Sequence, residues 1–274
     1  MNKIRVTLSP STINLIQSCW RKFDYEKNQG YGVKVKSTAL DTGDLYHHIL
    51  ASYYNGIIVP RENNITESIT SGRIHGLKLN LTPAEIEDTV LICQQYFMYY
   101  KDESWTPLAV EKPFTVSFYE TNHYEFFLEG KVDLLAKNGD EVLIVDHKSK
   151  AKKSYPMSLN NQYFAYCWAL GVDKLVENVI YKQKTMDGSK MTFSDRFPRR
   201  IMSYNTEQLD EWYDEMKELC DDYEKNHLRS FFPANYTKCW DCSFNQVCSS
   251  IRDVRKYVLE RDYKKVVPHD IFKS

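Results

Sequence analysis

The sequence predicts an α/β fold in which a central mixed β-sheet is flanked by helices, and three observations carry that expectation. Strand-like runs at 107–118, 124–136, 176–184 and 197–204 are interleaved with segments of helical apolar spacing. The 124–136 run is joined to a further strand ending near Lys148 through Asn138-Gly139, the strongest short hairpin signal a sequence offers. The chain has 274 residues, enough for a sizeable core and within the upper range of one domain, so residues 1–274 are read as a single domain.

Composition narrows the function classes. Net charge is −1, which gives no global argument for a polyanionic partner. The seven cysteines are an odd number and the start lacks the apolar core of a secretory signal, so a disulfide framework is not expected. No run approaches a membrane span, and the expectation is an intracellular, cytoplasmic protein without membrane contact. There is no Gly-x4-Gly-Lys-Ser/Thr loop, which excludes a P-loop ATPase engine on this chain.

In chain order, residues 9–25 read as a capped helix, with Ser11 as candidate N-cap and Ile13, Ile16, Trp20 and Phe23 on one stripe. Cys19 lies within it and, taken alone, is a small buried hydrophobe. A second helix begins near Thr42 or Asp44, with Gly43 permitting close backbone approach and His47 one turn later. A lone His is more often a structural residue than a ligand. Residues 56–81 are polar and Asn-rich, carry Gly56, Gly72 and Gly76, and predict surface loops. Thr82-Pro83-Ala84-Glu85 is a capping box with Pro at the first helical position. The helix it opens runs to Tyr100 with an apolar stripe through Ile86, Val90, Tyr96 and Phe97, and Cys93 receives no role.

The hairpin from Glu129 to Lys148 carries the chemistry. With Asn138-Gly139 as a two-residue loop, Lys137 faces Asp140, Asp133 sits opposite Ile144, and Lys131 sits opposite Asp146. Alternation puts Asp133, Ile144, Asp146 and Lys148 on one face and Val132, Leu143 and Val145 on the other. The two aspartates are then diagonal neighbours, about 7–8 Å apart at the backbone, close enough to converge on one cation. Carboxylates buried among Val, Leu and Ile need a metal or a cation to neutralise them. Two Asp and one Lys so placed are the local chemistry of a metal-dependent phosphodiesterase. The aspartates would hold Mg²⁺ or Mn²⁺, and Lys148 would orient water or steady the developing charge. The alternative is a solvated amphipathic hairpin in which Lys131 and Lys148 screen Asp146. Glu111, at the centre of the 107–118 strand, either reaches this metal shell or is an exposed strand residue.

Beyond the hairpin, Lys148 to Tyr155 reads as a basic linker whose Lys150, Lys152 and Lys153 are candidate DNA-binding residues. Residues 158–171 form a helix ended by Gly171, with Gln162 and Tyr166 on one face. The strands at 176–184 and 197–204 flank a Met186-Asp187-Gly188 turn, and 205–228 is a long acidic helix. From His147 to Arg200 there are 11 Lys and Arg against 4 Asp and Glu, a basic band suited to a phosphate backbone. Cys239, Cys242 and Cys248 follow, at a spacing of Cys-x2-Cys-x5-Cys. Three thiols so close in an intracellular chain point to a metal, and Cys19 is the candidate fourth ligand. Spacing alone does not separate a [4Fe–4S] cluster from zinc, although the single Cys-x2-Cys unit favours iron–sulfur.

Taken in order, Cys19, Gly43-x3-His47, Gly130-Lys-Val-Asp133, Val145-Asp146-His147-Lys148, Gln162-x3-Tyr166 and Cys239/Cys242/Cys248 span nearly the whole chain. The set resembles the RecB-like branch of the PD-(D/E)XK nuclease superfamily. Within it, the set is most similar to the iron–sulfur exonucleases of CRISPR systems and phages and to AddB-type nuclease domains. The resemblance implies a restriction-endonuclease-like core, with residues 1–30 and 229–262 forming an iron–sulfur region that joins the two ends of the chain. It implies that His47, Asp133 and Asp146, with the main-chain carbonyl of His147, bind the catalytic Mg²⁺ or Mn²⁺, and that Lys148 is the catalytic lysine. Gln162 and Tyr166 would contact DNA near the scissile phosphate, and Cys19, Cys239, Cys242 and Cys248 would hold [4Fe–4S] as a staple. The implied activity is a DNA exonuclease on single-stranded ends with 5′→3′ polarity. The implied partners are recombination, replication or CRISPR-adaptation proteins. His147 departs from the small or apolar residue or Thr common at its position, and by alternation it faces away from the metal. Two rivals remain, a non-catalytic DNA-binding adaptor and a zinc-stapled structural protein.

Overall fold

The computed structural model describes residues 3–33, 38–155, 158–182 and 191–266. The chain runs through β1 (Ile4–Leu8), α1 (Pro10–Ser18), α2 (Trp20–Phe23), β2 (Tyr31–Gly32), α3 (Thr38–Ile58), α4 (Asn64–Gly76) and α5 (Pro83–Tyr99). It continues through β3 (Thr106–Glu120), β4 (Tyr124–Asn138), β5 (Glu141–Lys150), α6 (Asn161–Leu170), β6 (Lys174–Tyr181), α7 (Phe193–Arg196) and β7 (Arg199–Ser203). It closes with α8 (Thr206–Leu228), α9 (Asn245–Ser249), α10 (Arg255–Asp262) and β8 (Lys264–Lys265). Among the described residues no helix is long and apolar enough to cross a membrane. The elements form two compact units, one of residues 37–113 and 131–206, the other of residues 1–36, 114–130 and 207–274.

In the 37–113/131–206 unit, the described strands pair in the order β4, β5, β6, β7. The sheet is mixed: β4–β5 and β6–β7 are antiparallel and β5–β6 is parallel, with α6 as the crossover between β5 and β6. One face carries Leu134, Ala136, Leu143, Val145, Val176 and Ile180. It packs against Tyr46, Ile49, Leu50 and Tyr54 of α3 and Val90, Cys93, Tyr96 and Phe97 of α5. Each such side chain taken fully out of water stabilises the fold by about 1.5–3 kcal/mol. The capping box of α5 is formed as expected, Thr82 Oγ1 accepting from the N–H of Glu85 and Glu85 Oε2 accepting from the N–H of Thr82 at 2.7 Å.

The hairpin keeps a two-residue loop but is shifted in register from the sequence expectation. The loop is Gly139-Asp140, Asn138 pairs with Glu141, and Leu134 pairs with Val145. Gly139 has φ +61° and Asp140 does not share that sign, as a turn with glycine at its first loop position requires. The shift is two residues, so every side chain keeps its expected face. Counting on past the last observed pair, Leu134–Val145, makes Asp133 and Asp146 the next facing positions rather than diagonal neighbours.

Residues 56–81 are largely helical rather than loops, with connections only at 59–63 and 77–81. α3 extends to Ile58, and α4 occupies 64–76 with Ile69 buried against the core. Its glycines, which read as breakers, serve close packing: a Cβ at Gly72 would lie 2.3 Å from Ile49 Cγ1. The strand expected at 176–184 ends at Tyr181, and the Met186-Asp187-Gly188 turn lies outside the described residues. The basic linker begins later than expected, because β5 continues through Lys150.

In the other unit, β1 runs parallel to residues 124–128 of β4. The first helix is broken rather than continuous: Cys19 is extended, with φ −169° and ψ 115°, and separates α1 from α2. Ser9, not Ser11, caps α1, since its Oγ accepts from the N–H of Thr12 and Pro10 takes the first helical position. α8 buries Trp212, Met216, Leu219, Cys220 and Tyr223 along one stripe and leaves its acids outward. A small core of Tyr25, Tyr31, Phe244, Val247, Val258, Leu259 and Tyr263 packs beside Cys242 and Cys248.

Candidate active site

The 146–148 segment of β5 lies between β4 on one side and β6 on the other. Asp146 is 1% exposed, and it survives there because it is surrounded by donors. Lys148 Nζ lies 2.9 Å from Oδ2, and Gln162 Nε2 donates to Oδ1 at 3.1 Å. Burial pushes the Asp146 carboxyl up to about 6 against the pull of Lys148, and the neighbouring Asp133 adds to the rise. Lys148 Nζ also donates to Gln162 Oε1 at 2.9 Å, so the amide of Gln162 holds both members of the Asp146–Lys148 pair. Gln162 Nε2 further meets the Tyr166 hydroxyl at 2.8 Å, and that hydroxyl donates to the carbonyl of Lys131 at 2.9 Å. The i, i+4 spacing on α6 thus braces the hairpin from outside the sheet.

Asp133 accepts the main-chain N–H of His147 at 2.7 Å and faces His47 Nδ1 at 3.3 Å. Burial acts to raise its pKa, but His47 and the His147 N–H outweigh it and hold the carboxyl below its ordinary range. Burial likewise acts to lower His47, but Asp133 and Asp146 hold it above the usual imidazole value. Glu111, left open between shell and surface by the sequence, joins this group. Ligand atoms of His47, Glu111 and Asp133 all lie within 4.8 Å of one another. Glu111 is ion-paired with Lys131 and has φ +50°, a conformation that costs a non-glycine residue about 1–3 kcal/mol. These residues line an open cleft with Asp44 and His48. A nitrogen with clustered carboxylate oxygens is a donor set that fits Mg²⁺ or Mn²⁺.

Of the expected metal ligands, the structure brings His47 and Asp133 together, turns the Asp146 carboxylate toward Lys148 and Gln162, and adds Glu111. The His147 side chain points to the opposite face and is buried, where desolvation pushes its pKa down to about 3. Lys150 is not displayed to solvent as an isolated cation: its Nζ is 2.5 Å from Glu177 Oε1. Lys153 pairs with Asp195 at 2.7 Å, and Lys152 is exposed.

In the other unit, Cys19, Cys239, Cys242 and Cys248 line one cavity together with Lys22, Asn235 and Trp240. Backbone N–H groups already point at sulfur: that of Asn235 reaches Cys19 Sγ and that of Phe244 reaches Cys242 Sγ, both at 3.4 Å. Burial raises the Cys248 thiol, and the Arg21 guanidinium opposes that rise. Four thiols with N–H donors and a cation nearby fit a thiolate-bound metal group. The other three cysteines, Cys93, Cys167 and Cys220, are fully buried elsewhere.

The sequence profile of the PD-(D/E)XK nuclease superfamily matches residues 7–249. None of the curated proteins matches the chain. Among solved structures, that of SSO0001 is similar with a TM-score of 0.42 and 11% identity, over 91% of this chain and 89% of that one. LHK-Exo in complex with dAMP gives a TM-score of 0.34 and 10% identity, over 67% of this chain and 93% of that one. The alkaline exonuclease LHK-Exo from Laribacter hongkongensis gives 0.31 and 11%, over 66% and 92%. Likenesses this loose carry no functional argument.

Proposed function

The chain belongs to the PD-(D/E)XK nuclease superfamily, and on that premise we propose that it is a divalent-metal-dependent DNA exonuclease acting on single-stranded ends with 5′→3′ polarity. The observation that carries the reading is the convergence of His47, Glu111 and Asp133 beside a buried Asp146–Lys148 pair. His47, Glu111, Asp133 and Asp146, with the carbonyl of His147, would hold Mg²⁺ or Mn²⁺, which when bound would supply Lewis-acid polarisation of the phosphate and a more acidic water. Lys148, held by Gln162, would orient the attacking water and stabilise the charge that builds on the phosphoryl oxygens as water adds to phosphorus and its bond to the leaving nucleotide oxygen breaks. Gln162 and Tyr166 shape the site by bracing Lys148 and the Lys131 carbonyl, and a DNA strand near the scissile phosphate lies within their reach. Lys152 and Lys153 extend a basic path for the backbone.

Cys19, Cys239, Cys242 and Cys248 are proposed to hold a [4Fe–4S] cluster that ties residues 1–30 to 229–262. The cavity they share and the N–H donors on two of the sulfurs support this reading.

The deciding experiment is cleavage of single-stranded DNA, labelled at the 5′ or the 3′ end, with Mn²⁺, Mg²⁺ or EDTA. Metal-dependent laddering by the wild type, lost in Lys148→Ala, is the expected result, and the order of label loss gives the polarity. No cleavage by folded protein with its metals in place would favour a non-catalytic DNA-binding adaptor.

A further inference from the structure

His147 is the residue at which this chain departs from the usual pattern, and the structure gives its side chain a built environment. The described β4–β5 pairs end at Leu134–Val145, and just beyond them the His147 N–H donates to the Asp133 carboxylate. On the opposite face the imidazole is buried, stacked on the Tyr54 ring at 5.6 Å with the planes 10° apart. Its Nδ1 lies 2.7 Å from Asn178 Nδ2, on the neighbouring strand β6.

The direction of each hydrogen bond in this network follows from one residue. Arg199 has donors and no acceptor, so the oxygen of the Asn178 amide must face it, and Arg199 Nε meets Asn178 Oδ1 at 3.3 Å. The Asn178 NH₂ is thereby turned toward His147 Nδ1 and toward the Tyr96 hydroxyl, at 3.0 Å. An NH₂ cannot accept, so His147 Nδ1 carries a lone pair and the ring proton sits on Nε2. Tyr96 receives Asn178 and Arg199 Nη2, the latter at 2.9 Å, and its own proton goes to Tyr54 at 2.8 Å. Tyr54 then donates to Glu103 Oε2 at 3.1 Å, and Glu103 closes the circuit through its ion pair with Arg199. Arg199 itself lies 3.5 Å from the Tyr100 ring centroid and 4.0 Å from that of Trp105, which leaves it no alternative place.

We propose that Asn178 and Arg199 are positioning residues of the active site. Arg199 orients the Asn178 amide, and Asn178 holds His147 as the neutral Nε2–H tautomer. The anchored ring fixes the His147 main chain, whose N–H binds Asp133 and whose carbonyl the metal-site reading assigns as a ligand. The inference rests on the metal-site reading given above. Outer hydrogen-bond partners of metal ligands commonly govern affinity by 10–100-fold, and the same order is expected here.

Two measurements test it. Nitrogen-15 NMR of histidine-labelled wild type at neutral pH should show His147 protonated at Nε2 and bare at Nδ1, and a protonated Nδ1 overturns the proposal without any variant. Mn²⁺ titration followed by electron paramagnetic resonance then compares wild type with Asn178→Ala and Asp133→Asn. Asn178→Ala should bind Mn²⁺ about 10–100-fold more weakly while remaining folded. Wild-type affinity in folded Asn178→Ala overturns the positioning role while leaving the metal reading intact. Unchanged affinity in Asp133→Asn overturns the metal reading and this role with it. If Asn178→Ala fails to fold, Arg199→Lys, which keeps the charge beside Glu103 but loses the fork that orients Asn178, takes its place under the same criterion.

Discussion

Lys148 Nζ and Gln162 Oε1 are 2.9 Å apart, and the same amide reaches Asp146 through its nitrogen. A strand residue and a helix residue thus form one unit, so that the lysine's position depends on α6 as much as on β5.

Gln162→Ala removes that support without touching Lys148 or Asp146. A lysine free to wander by about 1 Å is expected to cost 10–100-fold in kcat, with KM changed far less. Steady-state cleavage of a labelled oligonucleotide measures both. A KM effect with kcat intact would assign Gln162 to substrate binding alone.

Gly72→Ala is expected to destabilise the protein although alanine is the better helix former by about 1 kcal/mol. Its Cβ would sit 2.3 Å from Ile49 Cγ1, inside the α3–α4 contact. Overpacking of this kind costs about 1–3 kcal/mol. Ile49→Ala in the same chain should make the two losses less than additive, as read from denaturant midpoints of the single and double variants.

Protein purified anaerobically should be brown, with a ferric–sulfide band near about 400 nm and no matching zinc content. Cys239→Ser should lose the band and the iron together. A colourless wild type with one bound zinc per chain would replace the cluster by a zinc staple.

His227 predicts an acid-sensitive contribution to stability. It is stacked on Tyr223 at 3.8 Å, its Nδ1 meets the Tyr223 carbonyl, and Asp24 and Asn28 are its other polar neighbours. Burial outweighs the Tyr223 carbonyl and Asp24, and holds its pKa below the ordinary value. The unfolded chain therefore takes the proton first. Stability from this group is constant above about pH 6.5 and falls below it, by at most 1.4 kcal/mol per pH unit, until the folded pKa is reached. His227→Phe keeps a ring on Tyr223 and should flatten the melting temperature between pH 6.5 and 5 relative to wild type. Identical pH profiles would count against the buried neutral ring.

The sequence by itself determined the α/β class, the capping box at Thr82, the face shared by Asp133, Asp146 and Lys148, and the pairing of Gln162 with Tyr166. Each of these is a local matter: alternation along a strand, spacing along a helix, a side chain reaching three residues on. The tertiary structure decided the rest. Gly72 and Gly76 look like breakers until Ile49 of α3 lies against the first and Ile86 of α5 against the second. The loop at Gly139-Asp140 depends on which residue takes the positive φ. Cys19 looks helical until the break beside it sets its sulfur facing the cavity of the other three. Glu111 joins His47 and Asp133 only when separate elements are brought together. Asn178 drew no attention in the sequence, because its partners Arg199, Tyr96 and His147 come from three other elements, and contacts between such distant residues leave no mark in local spacing.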